Sequence, residues 1–305
     1  MFLSEHPDFK DLIGQVARNM GVSNAIVEKD YWVTLALYHL AHSEFKDEFI
    51  FKGGTSLSKA FKLIKRFSED VDLLFIDIGK RKRTRLKKVR DFISSQGFSY
   101  FEGTEHENTS SNESRTSCFD YKKNYADSLG GILPFVKLEM GYRGGQTPNT
   151  LIPITSYLAE AMLAGGEASA YFDLMPFEVK VLAPERTLVE KLFALHSAFE
   201  KGEIEKRVRH YYDAYHLLGL PDVIKFLGTA DYKILKQDVY DFSVACFPNS
   251  PIPAVEKLHE SKSLSPDHDS LKRIRTAHEG SDLIFGDKPT VEEMFDRISK
   301  YLSKI

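Results

Sequence analysis

A glycine pair at residues 53 and 54 constrains this chain most, because it sits where one extended stretch stops and a second begins soon after. Residues 48–51, Glu-Phe-Ile-Phe, are aromatic and β-branched, which predicts a short buried strand ending in a sharp turn at the pair. A helix is expected to begin near Ser56, since Leu57, Phe61 and Ile64 keep the i, i+4, i+7 spacing of one helical face with Ala60 beside them. Backbone N–H groups at such a start point forward and, with the helix dipole, favour phosphate; glycine there lets the backbone approach closely. Residues 70–76 are extended and apolar except for two acids. In a strand Asp70 and Asp72 share a face, whereas in a helix they would diverge by about 200°.

Two carboxylates 4 Å apart repel by about 4 kcal/mol at an effective dielectric of 20, and a divalent cation removes that objection. Oxygen-only ligands beside a phosphate cradle suit Mg²⁺, which takes one or two carboxylates and completes its shell with water and substrate phosphates. The alternative is a strand edge whose two acids face water. The glycine pair seventeen residues upstream favours the metal. A third acid would complete a nucleotidyl-transfer site, and the best candidate is Glu139. Residues 132–140 read as a strand with Lys137 and Glu139 on one face and Val136, Leu138 and Met140 on the other. Glu139 could bind a second metal and serve as base toward an attacking hydroxyl; the alternative is an exposed Lys/Glu pair. Other motifs fail on spacing. The run from Gly53 to Lys59 lacks the second glycine directly before the lysine of a P-loop. His210 and His216 would lie about 240° apart on a helix, which argues against zinc; with His39 and His42 they are read as structural or solvated.

Lys-Gly-Gly-Thr at 52–55 and Arg-Phe-Ser-Glu-Asp-Val-Asp-Leu at 66–73 resemble the signature of the AbiEii/AbiGii nucleotidyltransferase toxins, of the DNA polymerase β superfamily. Residues 27–32, Val-Glu-Lys-Asp-Tyr-Trp, resemble the family's N-terminal helix; residues 183–195 resemble its lysine helix, and 209–215 its Arg-x-x-x-Asp helix. The resemblance spans roughly residues 25–220, in the family's order. It implies that Gly53, Gly54 and Thr55, with Ser56 beside them, bind nucleotide phosphates, that Asp70 and Asp72 bind Mg²⁺, and that Lys191 and Asp213 complete the nucleotide site. Read on their own, Lys191 is a lysine at the margin of the face made by Leu188, Leu192 and Leu195, either anion-binding or snorkelling. Asp213 is equally an ordinary helical partner of Arg209. Ser68 either touches phosphate or caps the turn. Arg66 either binds phosphate bidentately or pairs with Glu69.

The expected fold is α+β: a polymerase β-like nucleotidyltransferase domain over residues 1–148, with a mixed sheet flanked by helices, then a mostly helical domain over 149–305 that contributes Lys191 and Asp213 to a cleft. The N-terminal residues Phe9, Leu12, Ile13, Val16, Ala17 and Met20 keep helical spacing up to Gly21, and Ser23 caps a second helix. Strands are expected over 97–101, 115–121, 132–142 and 177–182. Residues 103–114 read as a mobile loop and 261–270 as a polar break. Glu5 and Asp8 stand where a secretory signal would be basic, the longest apolar run is too short to span a bilayer, and Cys118 and Cys246 are too few for a disulfide framework. The expectation is a cytoplasmic protein that contacts no membrane.

Net charge is −3, so composition gives no global case for nucleic acid. Locally, eight of the eleven residues 80–90 are Lys or Arg above an apolar stripe of Leu86, Val89 and Ile93, and Lys201, Lys206, Arg207 and Arg209 form a second cluster. Either could track RNA phosphates. The leading reading is a transferase that moves NMP from an NTP to an acceptor hydroxyl. By the resemblance, the acceptor is RNA, with tRNA 3′ ends foremost, the cofactor is two Mg²⁺ ions, replaceable by Mn²⁺, and an antitoxin protein is the partner. The alternatives are a protein or small-molecule acceptor, or a non-catalytic nucleotide- or RNA-binding module of the same fold.

Overall fold

The computed structural model describes residues 1–305 apart from 69, 80, 103–104, 109–111, 126–131, 167–170 and 282–283. Its contacts divide the chain into two compact units, Met1–Lys62 with Phe67–Tyr142 and Asn149–Val181, and Leu63–Arg66 with Arg143–Pro148 and Leu182–Ile305.

In the first unit, Phe9, Ile13, Val16 and Ala17 form the buried stripe of α1 (Phe9–Met20), and Gly21 ends it in the left-handed region at φ 67°. Ser23 accepts a hydrogen bond from Ile26 N and so caps α2 (Asn24–Ala41), which is apolar and buried around most of its surface, as a central helix is. The chain continues through β1 (Phe49–Lys52), α3 (Gly53–Lys59), β2 (Asp70–Phe75), α4 (Lys82–Ser94), β3 (Ser99–Phe101), β4 (Ser114–Asp120), β5 (Val136–Gly141), β6 (Asn149–Ile154), α5 (Tyr157–Ala164) and β7 (Phe177–Leu182). The strands form one sheet in the order β3-β4-β5-β2-β1-β7-β6. It is mixed: β2 runs antiparallel to β1 and parallel to β5, and β1 runs parallel to β7. Strand periodicity then splits the residues of the central pair. Val71, Leu73 and Phe75, with Val136, Leu138 and Met140, enter a core shared with α1, α2 and α4. Asp70, Asp72, Lys137 and Glu139 take the opposite face.

Several expectations shift. The helix after the glycine pair begins at Gly53 itself and ends at Lys59, so Phe61 and Ile64 lie beyond it. Gly53, at φ 79°, allows the immediate start, and Lys62, at φ 52°, lies in the left-handed region beyond its end. β6 was not anticipated, because Pro153 disfavours a strand; the sheet accommodates it at an edge. The expected loop over 103–114 falls partly outside the described residues, while Asn108 bridges Thr116.

The second unit is helical: α6 (Pro184–Glu200), α7 (Val208–Leu217), α8 (Pro221–Phe226), α9 (Ala230–Cys246), α10 (His268–Glu279) and α11 (Val291–Tyr301). Pro184 opens α6, where its missing N–H is not needed, and Thr290 with Glu293 forms a capping box on α11. The polar break at 261–270 is partly interior. Ser261 and Ser263 are buried, with Ser261 Oγ 2.7 Å from His196 Nδ1 and 2.8 Å from Ser263 Oγ. Among the described residues no helix is long and apolar enough to cross a membrane.

Candidate functional site

The β2–β5 register assembles the acids. Asp70 stands opposite Lys137 and Asp72 opposite Glu139, while Lys52 of β1 stands on the other side of Asp72. Residues in register on neighbouring strands share a face, so Asp70, Asp72 and Glu139 form one patch although 66 residues separate Asp72 from the centre of β5 at Leu138. The patch is open to solvent, with the Asp70 and Glu139 side chains 30% and 40% exposed. Gly53 completes it. A Cβ built there would stand 2.0 Å from Asp72 Oδ2, so the carboxylate occupies the space that a side chain at 53 would need. This close approach, together with φ 79°, restricts position 53 to glycine.

Thr55 and Ser56 are placed differently from a hydroxyl cradle. Thr55 Oγ1 donates to the backbone oxygens of Asp70 and, at 3.2 Å, Ser68, and Ser56 Oγ donates to Gly53 O at 2.9 Å. Both side chains are buried. Their hydroxyls tie α3 to β2 and close its first turn; toward a ligand they leave backbone N–H groups, which the first turn of a helix does not use internally. Ser68 is half-buried, and its backbone oxygen takes the Thr55 bond.

Lys137 lies among the acids, with Nζ 2.5 Å from Glu139 Oε1 and 3.4 Å from Asp70 Oδ2. Burial would lower its pKa, but its hydrogen bond to Glu139 and the charges of Asp70 and Glu139 raise it above the ordinary lysine value. Among the described residues no three His, Cys, Asp or Glu side chains converge to hold a metal ion. The donor set nonetheless fits a hard cation: three carboxylates on one partly exposed face, with no sulfur or imidazole among them. It is the ammonium of Lys137 that draws two of the three together.

The second unit holds a separate charged centre. Asp213 is fully buried and accepts from Arg66 Nε and Nη2, each at 2.7 Å, and from Lys191 Nζ at 2.7 Å. Its partners are thus not Arg209, four residues back, as helical spacing suggested. Lys191, with its side chain 8% exposed, does not snorkel. Arg66 binds Asp213 through two of its nitrogens, and Glu69, the partner that spacing offered, lies outside the described residues. Burial would push the Asp213 pKa up; the charges of Arg66 and Lys191 and their hydrogen bonds hold it well below the carboxylate range. Burial, then the charge of Lys191, lowers the His210 pKa well below the ordinary imidazole value, so the ring beside this centre is neutral. Two cations thus converge on one buried carboxylate.

Two adjacent residues of α2 bind the chain on its way from β4 to β5, the strand that carries Lys137 and Glu139. Buried Lys29 donates to Leu133 O at 2.6 Å and to Phe135 O, and Glu28 accepts from the backbone N–H groups of Asn124 at 2.7 Å and Tyr125 at 3.0 Å. The basic run behaves otherwise than expected. Arg85 is buried and donates two hydrogen bonds to Glu48, each at 2.6 Å, Lys82 pairs with Glu113 at 2.9 Å and Arg90 with Asp91 at 2.5 Å. Arg81, Arg83, Lys87 and Lys88 stay exposed, while Lys80 lies outside the described residues. The apolar stripe of α4 enters the core opposite the acids, so nearness in sequence to β2 does not place its cations beside them.

A mixed sheet with a glycine turn against an Asp-x-Asp strand and a helical part after it defines the class: a nucleotidyltransferase. A family model described as nucleotidyl transferase AbiEii toxin, Type IV TA system, matches residues 35–296, and the chain belongs to that family. Among solved structures, MenT4, a nucleotidyltransferase toxin from Mycobacterium tuberculosis, is similar in fold at a TM-score of 0.58 and 15% identity, with 96% of this chain and 90% of that chain covered. A comparison with curated proteins finds no match. The chain is therefore a nucleotidyltransferase toxin of a toxin–antitoxin family.

Proposed function

We propose that this toxin uses Mg²⁺ to transfer a nucleoside monophosphate from an NTP to an RNA hydroxyl, the 3′ end of tRNA, in the cytoplasm, and that an antitoxin opposes it. The observation that supports the chemistry is the shared face of Asp70, Asp72 and Glu139, with Asp72 packed against Gly53 at the head of α3. Asp70, Asp72 and Glu139 would hold the metal, which when bound neutralises charge on the triphosphate. The first-turn N–H groups of Gly53, Gly54 and Thr55 bind phosphate oxygens, with Thr55 and Ser56 keeping that turn closed through their hydroxyls. By the family resemblance Lys191 and Asp213 complete the nucleotide site, with Arg66 beside them, and Asp213, which is fully enclosed, orients both cations. Glu139 accepts the proton of the attacking hydroxyl. Ser68 contributes its backbone to the same turn.

The acceptor rests on the family resemblance alone. Because α4 packs on the face opposite the acids, a second reading deserves equal test, in which the acceptor is a protein or small-molecule hydroxyl. Incubation with Mg²⁺, each labelled NTP and total tRNA, with wild type beside Asp72→Ala, separates them. Labelled tRNA from wild type alone supports the proposal. Label on protein and none on RNA supports the second reading, and transfer that survives Asp72→Ala removes the metal assignment.

A further inference from the structure

We propose that Lys137 is the built-in counter-cation of the carboxylate face: it holds Glu139 and Asp70 in the nucleotide-free enzyme, keeps a divalent cation from settling there alone, and yields when a triphosphate arrives. The inference rests on the nucleotidyl-transfer reading above and concerns the order in which that site fills. Its basis is placement. The parallel β2–β5 register sets Lys137 directly beside Asp70 and one pleat from Glu139, so a single ammonium reaches both carboxylates, at 3.4 and 2.5 Å. A strand cannot move Lys137 off this face without a register slip that would also move Glu139. The ammonium is therefore a permanent member of the acid patch, and its side chain is only 17% exposed.

A bound ammonium and a metal ion compete for the same oxygen lone pairs. Glu139 Oε1 is a weaker ligand for a divalent cation while Lys137 holds it, and a cation entering between Asp70 and Glu139 would meet the ammonium as a like charge. A lysine is suited to yield, since its charge is compact and its four-carbon stem flexible, whereas a guanidinium fork would hold its partners more rigidly. A triphosphate supplies new acceptors for the ammonium in the same step that it supplies oxygen ligands for the metal. Metal and nucleotide then bind with positive coupling, and by linkage each strengthens the other by the same factor. Lys52, in register on the far side of Asp72, leaves Asp72 flanked by a lysine strand on one side and Glu139 on the other, so removal of Lys137 acts chiefly on Asp70 and Glu139.

The test uses the full chain, Mn²⁺ as probe, and water proton relaxation enhancement, which separates protein-bound Mn²⁺ from Mn²⁺ on free nucleotide. Titrations are run with and without an equimolar mixture of four α,β-non-hydrolysable NTP analogues, and far-UV circular dichroism verifies the fold of each variant. We expect wild type to bind Mn²⁺ at least tenfold more tightly with the analogues than without. Lys137→Met should bind Mn²⁺ at least tenfold more tightly than wild type in their absence and gain little from them, Lys137→Gln should follow it, and Lys137→Arg should retain weak binding of the metal alone. Equal analogue-free Mn²⁺ affinity in wild type, Lys137→Met and Lys137→Gln, with analogue-dependent binding still abolished by Asp72→Ala, overturns the role of Lys137 and leaves the metal face standing. Absence of Mn²⁺ binding in every variant with analogues present, or binding indifferent to Asp72→Ala, overturns the metal face itself.

Discussion

Asp213→Ala tests the charged centre of the helical unit. The substitution removes a fully buried carboxylate that Arg66 grips twice and Lys191 once, all at 2.7 Å, and leaves cations that are 4% and 8% exposed without their anion. Breaking a buried ion pair from one side costs about 3–5 kcal/mol. Mutual repulsion of the two cations, on the order of 3 kcal/mol at 5–6 Å and an effective dielectric of 20, acts in the same direction and is relieved only by rotation toward water. We expect urea unfolding at pH 7 to show a loss of about 3–5 kcal/mol, which lowers the midpoint by at least about 1 M for an m-value of 1–3 kcal/mol per M. Acid supplies an independent check. The folded pKa of Asp213 lies below the unfolded value of about 3.9, so its stabilisation is fully present above that value and is lost as pH falls through the folded one. The gap between wild type and Asp213→Asn should therefore hold from about pH 8 to 5 and shrink below about pH 4. The triple variant Arg66→Met/Asp213→Leu/Lys191→Met should regain most of the stability without activity, since an apolar replacement has no charge to desolvate. A loss under about 1 kcal/mol for Asp213→Ala, or a gap that does not narrow in acid, would refute the assignment of a buried, doubly paired carboxylate.

Gly53→Ala should cost about 1–2 kcal/mol from the left-handed backbone and displace Asp72, whose Oδ2 lies 2.0 Å from the added Cβ, so transfer should fall at least a hundredfold while the melting temperature drops by a few degrees. Wild-type labelling rates in that variant would show that the glycine–aspartate packing is dispensable. Lys29→Met removes a donor from Leu133 O and from buried Phe135 O; we expect a loss of about 1–3 kcal/mol and faster hydrogen exchange in β5, measured by mass spectrometry. Joint charge reversal of Arg83, Lys87 and Lys88 should leave transfer to RNA within about threefold, since their helix covers the other face of the sheet; a loss above tenfold, with a flatter salt dependence, would route the acceptor across α4.

The parts of the fold legible in the sequence are those fixed by short-range pattern. Period two in 70–76 and 132–142 places Asp70 with Asp72 and Lys137 with Glu139, and helical spacing finds α1 and the stripe of α4. What pattern cannot supply is pairing across long separations. Nothing local to Arg66 names Asp213 as its partner, and i, i+4 spacing offers Arg209 in its place; burial of α7 decides the matter by enclosing Asp213 where only an opposing cation can satisfy it. The basic run fails for a related reason. Its charge is plain in sequence, but whether a lysine or arginine is solvated depends on which acids the fold brings near, and Glu48 and Glu113 claim Arg85 and Lys82.

The same limit explains why Lys137 reads as an ordinary surface partner of Glu139 until β5 is set beside β2. Two residues apart on a strand, the pair could be any solvated ion pair. Once parallel register adds Asp70 to the reach of the same ammonium, a lone lysine has two carboxylates to neutralise and a metal to compete with. That competition is a property of the pairing rather than of either strand, which is why substitution of Lys137 should alter metal binding while leaving both strands intact.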